Sequence, residues 1–420
     1  MHRLSIFIAA ALAGLTLATN ALAGDTWPQF RGPTADGHSD AMHLPVTWSE
    51  TENVTWKVPV HDRGWSSPLI WQNQIWLTSA TVDGHQMYAI CLDRQTGATI
   101  HDVKVFDTEN LDHISVLNSY ASPTGAIEDG RVYVHYGTYG TACLDTATGK
   151  KLWERRDLKC DHHEGAGSSM MLFGNLLIFH VDGRDVQYVI ALDKGTGENV
   201  WKRDRSVDFS AVHMNERKAF CTPIVIKNGD ELQLVSPGAK GIISYNPATG
   251  EELWKVRYNG WSMAPRPLYG HGMIFFIDDY ERPNLLAVRP DGHGDVTDSH
   301  VTWRMSKGIS NRPSLILLGD LLYMVNSEGV AVCVDAKLGD PPVWKHRLGG
   351  NFSASPIEAA GRIYFFDEGS TTTVIEAGRE FKQLAVNKLA EEPLFASPAV
   401  AGEALFVRTE GHLYRIEQKN

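Results

Sequence analysis

The chain has 420 residues, of which 43% are apolar, 21% charged and 10% aromatic. That is an ordinary globular composition, and it excludes wholesale disorder and collagen-like repeats. Against 39 Lys and Arg stand 50 Asp and Glu, a net charge of −11. This excludes general nucleic-acid binding, which runs on phosphate neutralisation by basic side chains.

The chain opens on an address. His2 and Arg3 precede an apolar run from Leu4 to Ala18, shorter than the roughly 20 residues a membrane-spanning helix needs. Ala21-Leu22-Ala23 supplies a small-x-small cleavage site, so residues 1–23 are expected to be a secretory signal peptide. No cysteine follows that site, so no membrane anchor is expected. The mature chain is predicted to be periplasmic or secreted, and monomeric. Residues 24–52, with the phrase WPQFRGP at 27–33, are assigned to an N-terminal extension. A strand, NVTWKVPV, follows at 53–60.

Beyond it the sequence repeats. One marker is a small residue with Pro entering a strand: Pro68, Pro123, Pro223, Pro267, Pro313, Pro356 and Pro398, with Gly-Ser-Ser at 167–169 filling the missing slot. Each entry is followed by apolar runs such as RVYVHY at 131–136 and RIYFFD at 362–367. A second marker closes each unit: LDTATGKKLW at 144–153, LDKGTGENVW at 192–201, YNPATGEELW at 245–254 and, more loosely, VDAKLGDPPVW at 334–344. LDRQTGATIH at 92–101 keeps the turn without the Trp. Asp and Thr cap a tight hairpin turn, Gly supplies its positive φ, and Trp starts the next strand, where its indole can wedge against the neighbouring repeat. Four short strands recurring every 40–50 residues or so are the signature of a propeller blade.

Eight entries predict an all-β fold, a single eight-bladed β-propeller of four-stranded antiparallel blades over 53–420. The last unit holds only FASPAV, ALFVRT and HLYRIE. Its fourth strand is predicted to be the N-terminal one, with Trp56 in the hairpin-Trp position. Such closure removes an open sheet edge.

These phrases resemble the quinoprotein-type, PQQ-like propeller repeat. It is found in PQQ-dependent alcohol dehydrogenases and in BamB, the propeller subunit of the outer-membrane barrel-assembly machine. WPQFRGP, GWSSP at 64–68, GDVTDSHVTW at 294–303 and FSASP at 352–356 are similar to a large group of exported propellers. For the dehydrogenases the resemblance implies a quinone at the channel mouth beside calcium, a catalytic Asp, a stacking Trp and a disulfide between adjacent cysteines. This chain has no Cys-Cys pair and no Asp that matches the motif. No cofactor is expected, and PQQ with calcium is the alternative.

The loops entering the innermost strands converge at one channel mouth. They are rich in polar and aromatic residues, which marks functional loops. The candidate ligand-binding residues are Arg63, Trp65, Asn118, Tyr120, His162, His163, Arg217, Trp261, Arg266 and Arg312. Arg63, Arg217, Arg266 and Arg312 are expected to share this face. They would either form an electrostatic funnel or pair with carboxylates such as Asp62, Glu164 and Glu216. The partner is expected to be an anionic small molecule or glycan, or a protein. Asp161-His162-His163-Glu164 and the Asp291–Asp298 stretch carry metal-ligand residue types. Polar loop packing and an ordinary long hairpin are the preferred readings, so no metal site is expected. Of five cysteines, Cys91, Cys143 and Cys333 share a slot with Ala191 and are predicted to be small buried residues. Cys160 and Cys221 are left open as a pair.

Overall fold

The computed structural model describes residues 24–419, so the proposed leader 1–23 lies outside the described residues. Eight antiparallel sheets form an eight-bladed β-propeller. Seven blades are continuous in sequence, at 69–107, 126–155, 171–204, 224–257, 268–305, 316–347 and 357–388. The eighth takes Ala399–Ala401, Ala404–Arg408 and His412–Glu417 from the end of the chain. Its outer strand is Val54–Pro59, antiparallel to His412–Glu417, with Trp56 opposite Arg415. The predicted closure by the N-terminal strand is thus present. Among the described residues, no helix is long and apolar enough to cross a membrane.

The repeat phrase works as a joint between blades. Asp145 Oδ1 accepts the backbone N–H of Thr148 at 2.8 Å and its hydroxyl at 2.7 Å; Asp93 caps its turn in the same way, and Asp193 accepts the Thr196 backbone N–H at 2.9 Å. The indole of one blade then donates to a turn carbonyl of the next: Trp56 to Arg94, Trp153 to Lys194, Trp201 to Pro247 and Trp303 to Ala336, at 3.1–3.3 Å. The turn glycine lies under that indole. At Gly197, with φ +75°, a Cβ would stand 2.7 Å from Trp153. The cysteine slot is the cross-strand partner of the same position, as in Cys143 opposite Trp153 and Cys333 opposite Trp344, so a small residue there makes room for the indole. All five cysteines are free and buried, and Cys160 and Cys221 do not pair.

Residues 294–303 do more than close a hairpin. Gly294–Asp295 adds a short parallel strand to the outer edge of the fourth blade, and Thr297 Oγ1 accepts the Arg257 N–H at 2.9 Å.

The N-terminal extension enters the channel. Trp27 pairs with Ile70 and Gln29 with Ala126, on the innermost strands of the first two blades. Arg31 crosses the bore and donates to the carbonyls of Leu315 and Pro356 in the sixth and seventh blades. His38–Ser39 then runs parallel to the innermost strand of the seventh blade, and Trp48 stacks on Tyr364 at 6.3 Å. Each inner strand has free edge groups facing the axis, and a thread down the bore satisfies part of them.

Candidate functional site

Side chains of a strand alternate, so residues i and i+2 of each entry face the same way. Counting back from the start of each innermost strand gives two rings of eight equivalent residues. The upper ring is Trp65, Ser122, Gly167, Phe220, Ala264, Arg312, Ser353 and Phe395, all of which line one cavity at the loop-bearing face. The lower ring is Ser67, Thr124, Ser169, Thr222, Arg266, Ser314, Ser355 and Ser397.

The lower ring is stitched by hydrogen bonds. The N–H of Ser67 donates to Thr124 Oγ1 at 2.9 Å, that of Thr124 to Ser169 Oγ at 3.0 Å, and that of Ser169 to Thr222 Oγ1 at 3.1 Å. The series resumes from Arg266 to Ser314, Ser355 and Ser397 at 2.9–3.0 Å. It breaks after Thr222, because Arg266 offers no acceptor, and at Ser67, whose buried Oγ has no partner.

The upper ring walls a bowl of about 390 Å³. It narrows into a bore of about 140 Å³ lined by the hydroxyl ring and by Phe30 of the N-terminal thread. The channel is therefore a blind cavity, open at one face and floored by Phe30. Three aromatics stand in the upper ring. Trp65 and Phe395 lie side by side with centroids 4.8 Å apart, and Phe220 faces them from the fourth blade. Trp261 and Tyr280 complete the rim, with the Lys240 ammonium 5.0 Å above the Trp261 ring.

The bowl's cations are already partnered. Arg312 bonds Glu368 at 2.8 Å and the Ser353 hydroxyl at 3.1 Å. Lys218 lies 3.5 Å from Glu164. Arg63 pairs with Glu410 at 2.6 Å, and Arg217 donates to the Val212 carbonyl at 2.8 and 3.0 Å. Arg266 is fully buried in the lower ring, on the carbonyls of Pro223 and Phe30. The four arginines do not converge into a funnel at the rim. Short loops and available carboxylates or carbonyls capture each one locally.

Of the ten candidates, Trp65, Asn118, Trp261 and Arg312 line the bowl. Asn118 also organises its loop, donating to Glu164 and Ala166 carbonyls and accepting the Ser119 N–H. Tyr120 and His162 belong instead to a small enclosed cavity beside Tyr136 and Tyr139. Burial drives the His162 pKa down to about 4, so its imidazole is neutral. His163, in the left-handed region at φ +62°, lies beside His113 with centroids 5.5 Å apart. Sequence reasoning missed Phe220, Phe395 and Phe30. Their signal was present in FCTP, FASP and WPQFRGP, where the aromatic occupies a register position that the Pro markers alone do not show.

A family model described as outer membrane protein assembly factor BamB, of the PQQ type, matches residues 87–219 and 185–420. The chain belongs to this family of PQQ-like propellers. The BamB crystal structure from Moraxella catarrhalis is 13% identical with a TM-score of 0.62, covering 87% of this chain and 98% of that one. Quinohemoprotein alcohol dehydrogenase from Comamonas testosteroni is 11% identical with a TM-score of 0.67, covering 96% and 82%. At these identities the likeness is one of fold. The quinoprotein alcohol dehydrogenase PedH of Pseudomonas putida is 31% identical over 140 residues, 30% of this chain and 21% of that enzyme. The match therefore spans about a fifth of PedH.

Proposed function

We propose that this PQQ-like propeller is an exported binding protein that holds a small ligand in the blind bowl at its loop-bearing face. The observation that carries this reading is the Phe30 floor, which turns a through-channel into a closed-ended cavity. A concave site with aromatic walls and a few convergent polar groups is the usual form of a ligand pocket. Flat rings beside Ser and Asn side chains suit the C–H face and hydroxyls of a sugar. Soluble glycans should quench the intrinsic fluorescence of Trp65 and Trp261. Trp65→Ala and Trp261→Ala should each weaken binding by about tenfold or more, on the scale of buried aromatic anchors. Binding that survives both substitutions unchanged would place the ligand elsewhere.

The PedH match favours a second reading, a quinone-dependent oxidoreductase. The residues present argue against that cofactor with its metal. Among the described residues no group of three or more His, Cys, Asp or Glu side chains could hold a single ion, and both bowl cations are engaged by carboxylates. Addition of PQQ and calcium is expected to leave the thermal midpoint unchanged, since only a ligand of the native state raises it. Dye-linked alcohol oxidation on reconstitution would reinstate the enzyme reading.

A further inference from the structure

The bore beneath the bowl is an array of unspent donors. Ser67, Thr124, Ser169, Thr222, Ser355 and Ser397 line it, and each is more than nine-tenths buried. Five of them accept a neighbour's backbone N–H, as described above. Among the described residues, none of the six hydroxyls donates its own proton. A hydroxyl that accepts one hydrogen bond becomes a better donor. The six hydroxyls therefore present donors to whatever occupies the bore, and Ser67 Oγ, buried without a protein partner, has the most to gain from an acceptor there.

The field beneath the ring fixes the sign of that acceptor. Arg266 occupies the fifth blade's place in the ring and bonds the Pro223 carbonyl, one residue past Thr222. Arg31 bonds the carbonyls of Leu315 and Pro356, one residue past Ser314 and Ser355. Both guanidiniums are buried, and among the described residues neither has a carboxylate within salt-bridge distance. Two buried guanidiniums beside the ring, offset in part by the charge of Asp36, disfavour a cation in the bore and favour an anion.

We propose that the bore is an anion seat, and that the ligand is a carboxylated saccharide. Its ring stacks on Trp65 and Phe395, and its carboxylate drops into the hydroxyl ring above Arg31 and Arg266. This rests on the binding reading above and names its ligand class. A planar carboxylate satisfies both oxygens within one tier of donors.

Ser67→Ala isolates the claim, because Ser67 Oγ has no protein partner and its loss breaks no internal bond. Calorimetric titration of the full mature chain with trigalacturonate and with its methyl ester supplies the comparison. The acid should bind about tenfold or more tighter than the ester, and that advantage should shrink at high salt. Ser67→Ala should lower affinity for the acid by about tenfold, the scale of a hydrogen bond to a charged group, while lowering that for the ester distinctly less and leaving the melting midpoint unchanged. Equal binding of acid and ester, with both lost in Trp65→Ala, would overturn the anion seat and leave the bowl as a neutral-sugar site. An acid affinity indifferent to Ser67→Ala would also overturn it. If neither probe binds, the carboxylated-saccharide assignment falls, and the bowl reading is then judged by the fluorescence titrations with other glycans.

Discussion

Gly197 shows how one residue can serve two blades. Its φ of +75° belongs to the left-handed region, and its missing Cβ leaves room for the Trp153 ring of the preceding blade. Gly197→Ala is expected to destabilise the fold by about 1–3 kcal/mol through backbone strain and overpacking together. Ala147→Gly, in the equivalent turn of the second blade, is exposed and should change little; equal effects in thermal melts would refute the joint. Buried His135 gives a titration signature. Burial, with His162 nearby, lowers its pKa from 6.5 to about 3, so the unfolded chain binds the proton first. Its contribution is full above about 6.5 and is lost as pH falls towards about 3. The expected slope is roughly 1.4 kcal/mol per pH unit within that window. Denaturant titrations of His135→Gln should show a correspondingly shallower acid loss, and an unchanged slope would contradict the assignment.

The element that governs the site is the segment 24–52, a stretch without regular structure of its own apart from two isolated bridges and one two-residue strand. Its residues are held by groups far away in sequence, His38 among them. Burial alone would depress the His38 pKa. The hydrogen bond and charge of Glu358, the charge of Asp36 and the Leu317 carbonyl outweigh burial and raise it. A raised histidine pKa contributes stability below the unfolded value and loses it as pH rises through the folded one. The thread should therefore be held most firmly in mild acid. Limited proteolysis within 33–37 should quicken as pH is raised through the neutral range, and His38→Gln should remove that dependence. Cleavage in the wild type that is indifferent to pH would sink the idea. Phe30→Ala tests the floor itself. It should enlarge the bore and lower thermal stability by about 1–2 kcal/mol, since Phe30 is only partly buried and one side of its ring faces the cavity. A midpoint within a degree of wild type would show that the floor is not packed.

At the scale of the whole molecule, the two chain ends are joined in one sheet. Deleting 24–60 removes both the outer strand of the eighth blade and the thread in the bore, and so exposes an edge and an apolar channel at once. The expected result is aggregation or loss of cooperative unfolding, read by size-exclusion chromatography and thermal melts. A monomeric deletion product with the wild-type midpoint would refute ring closure. Blade number, strand order and closure were legible in the sequence because they are local and repeated. The Asp-Gly turn, the Trp and the Pro entry each report a short-range requirement, and eight copies reinforce one another. The site was legible only as a face. Trp65, Trp261, Asn118 and Arg312 were found because polar and aromatic loop residues stand out by type. The fate of Arg63, Arg266 and Arg312 depended on which carboxylate or carbonyl another blade or the thread brought within reach, and spacing along the chain does not carry that information. The sequence by itself determined the repeat, the fold and the loop-bearing face. Only the tertiary structure decided that residues 27–39 enter the bore, because a single unrepeated segment finds its partners through contacts more than 300 residues away, such as Arg31 with Pro356 and His38 with Glu358.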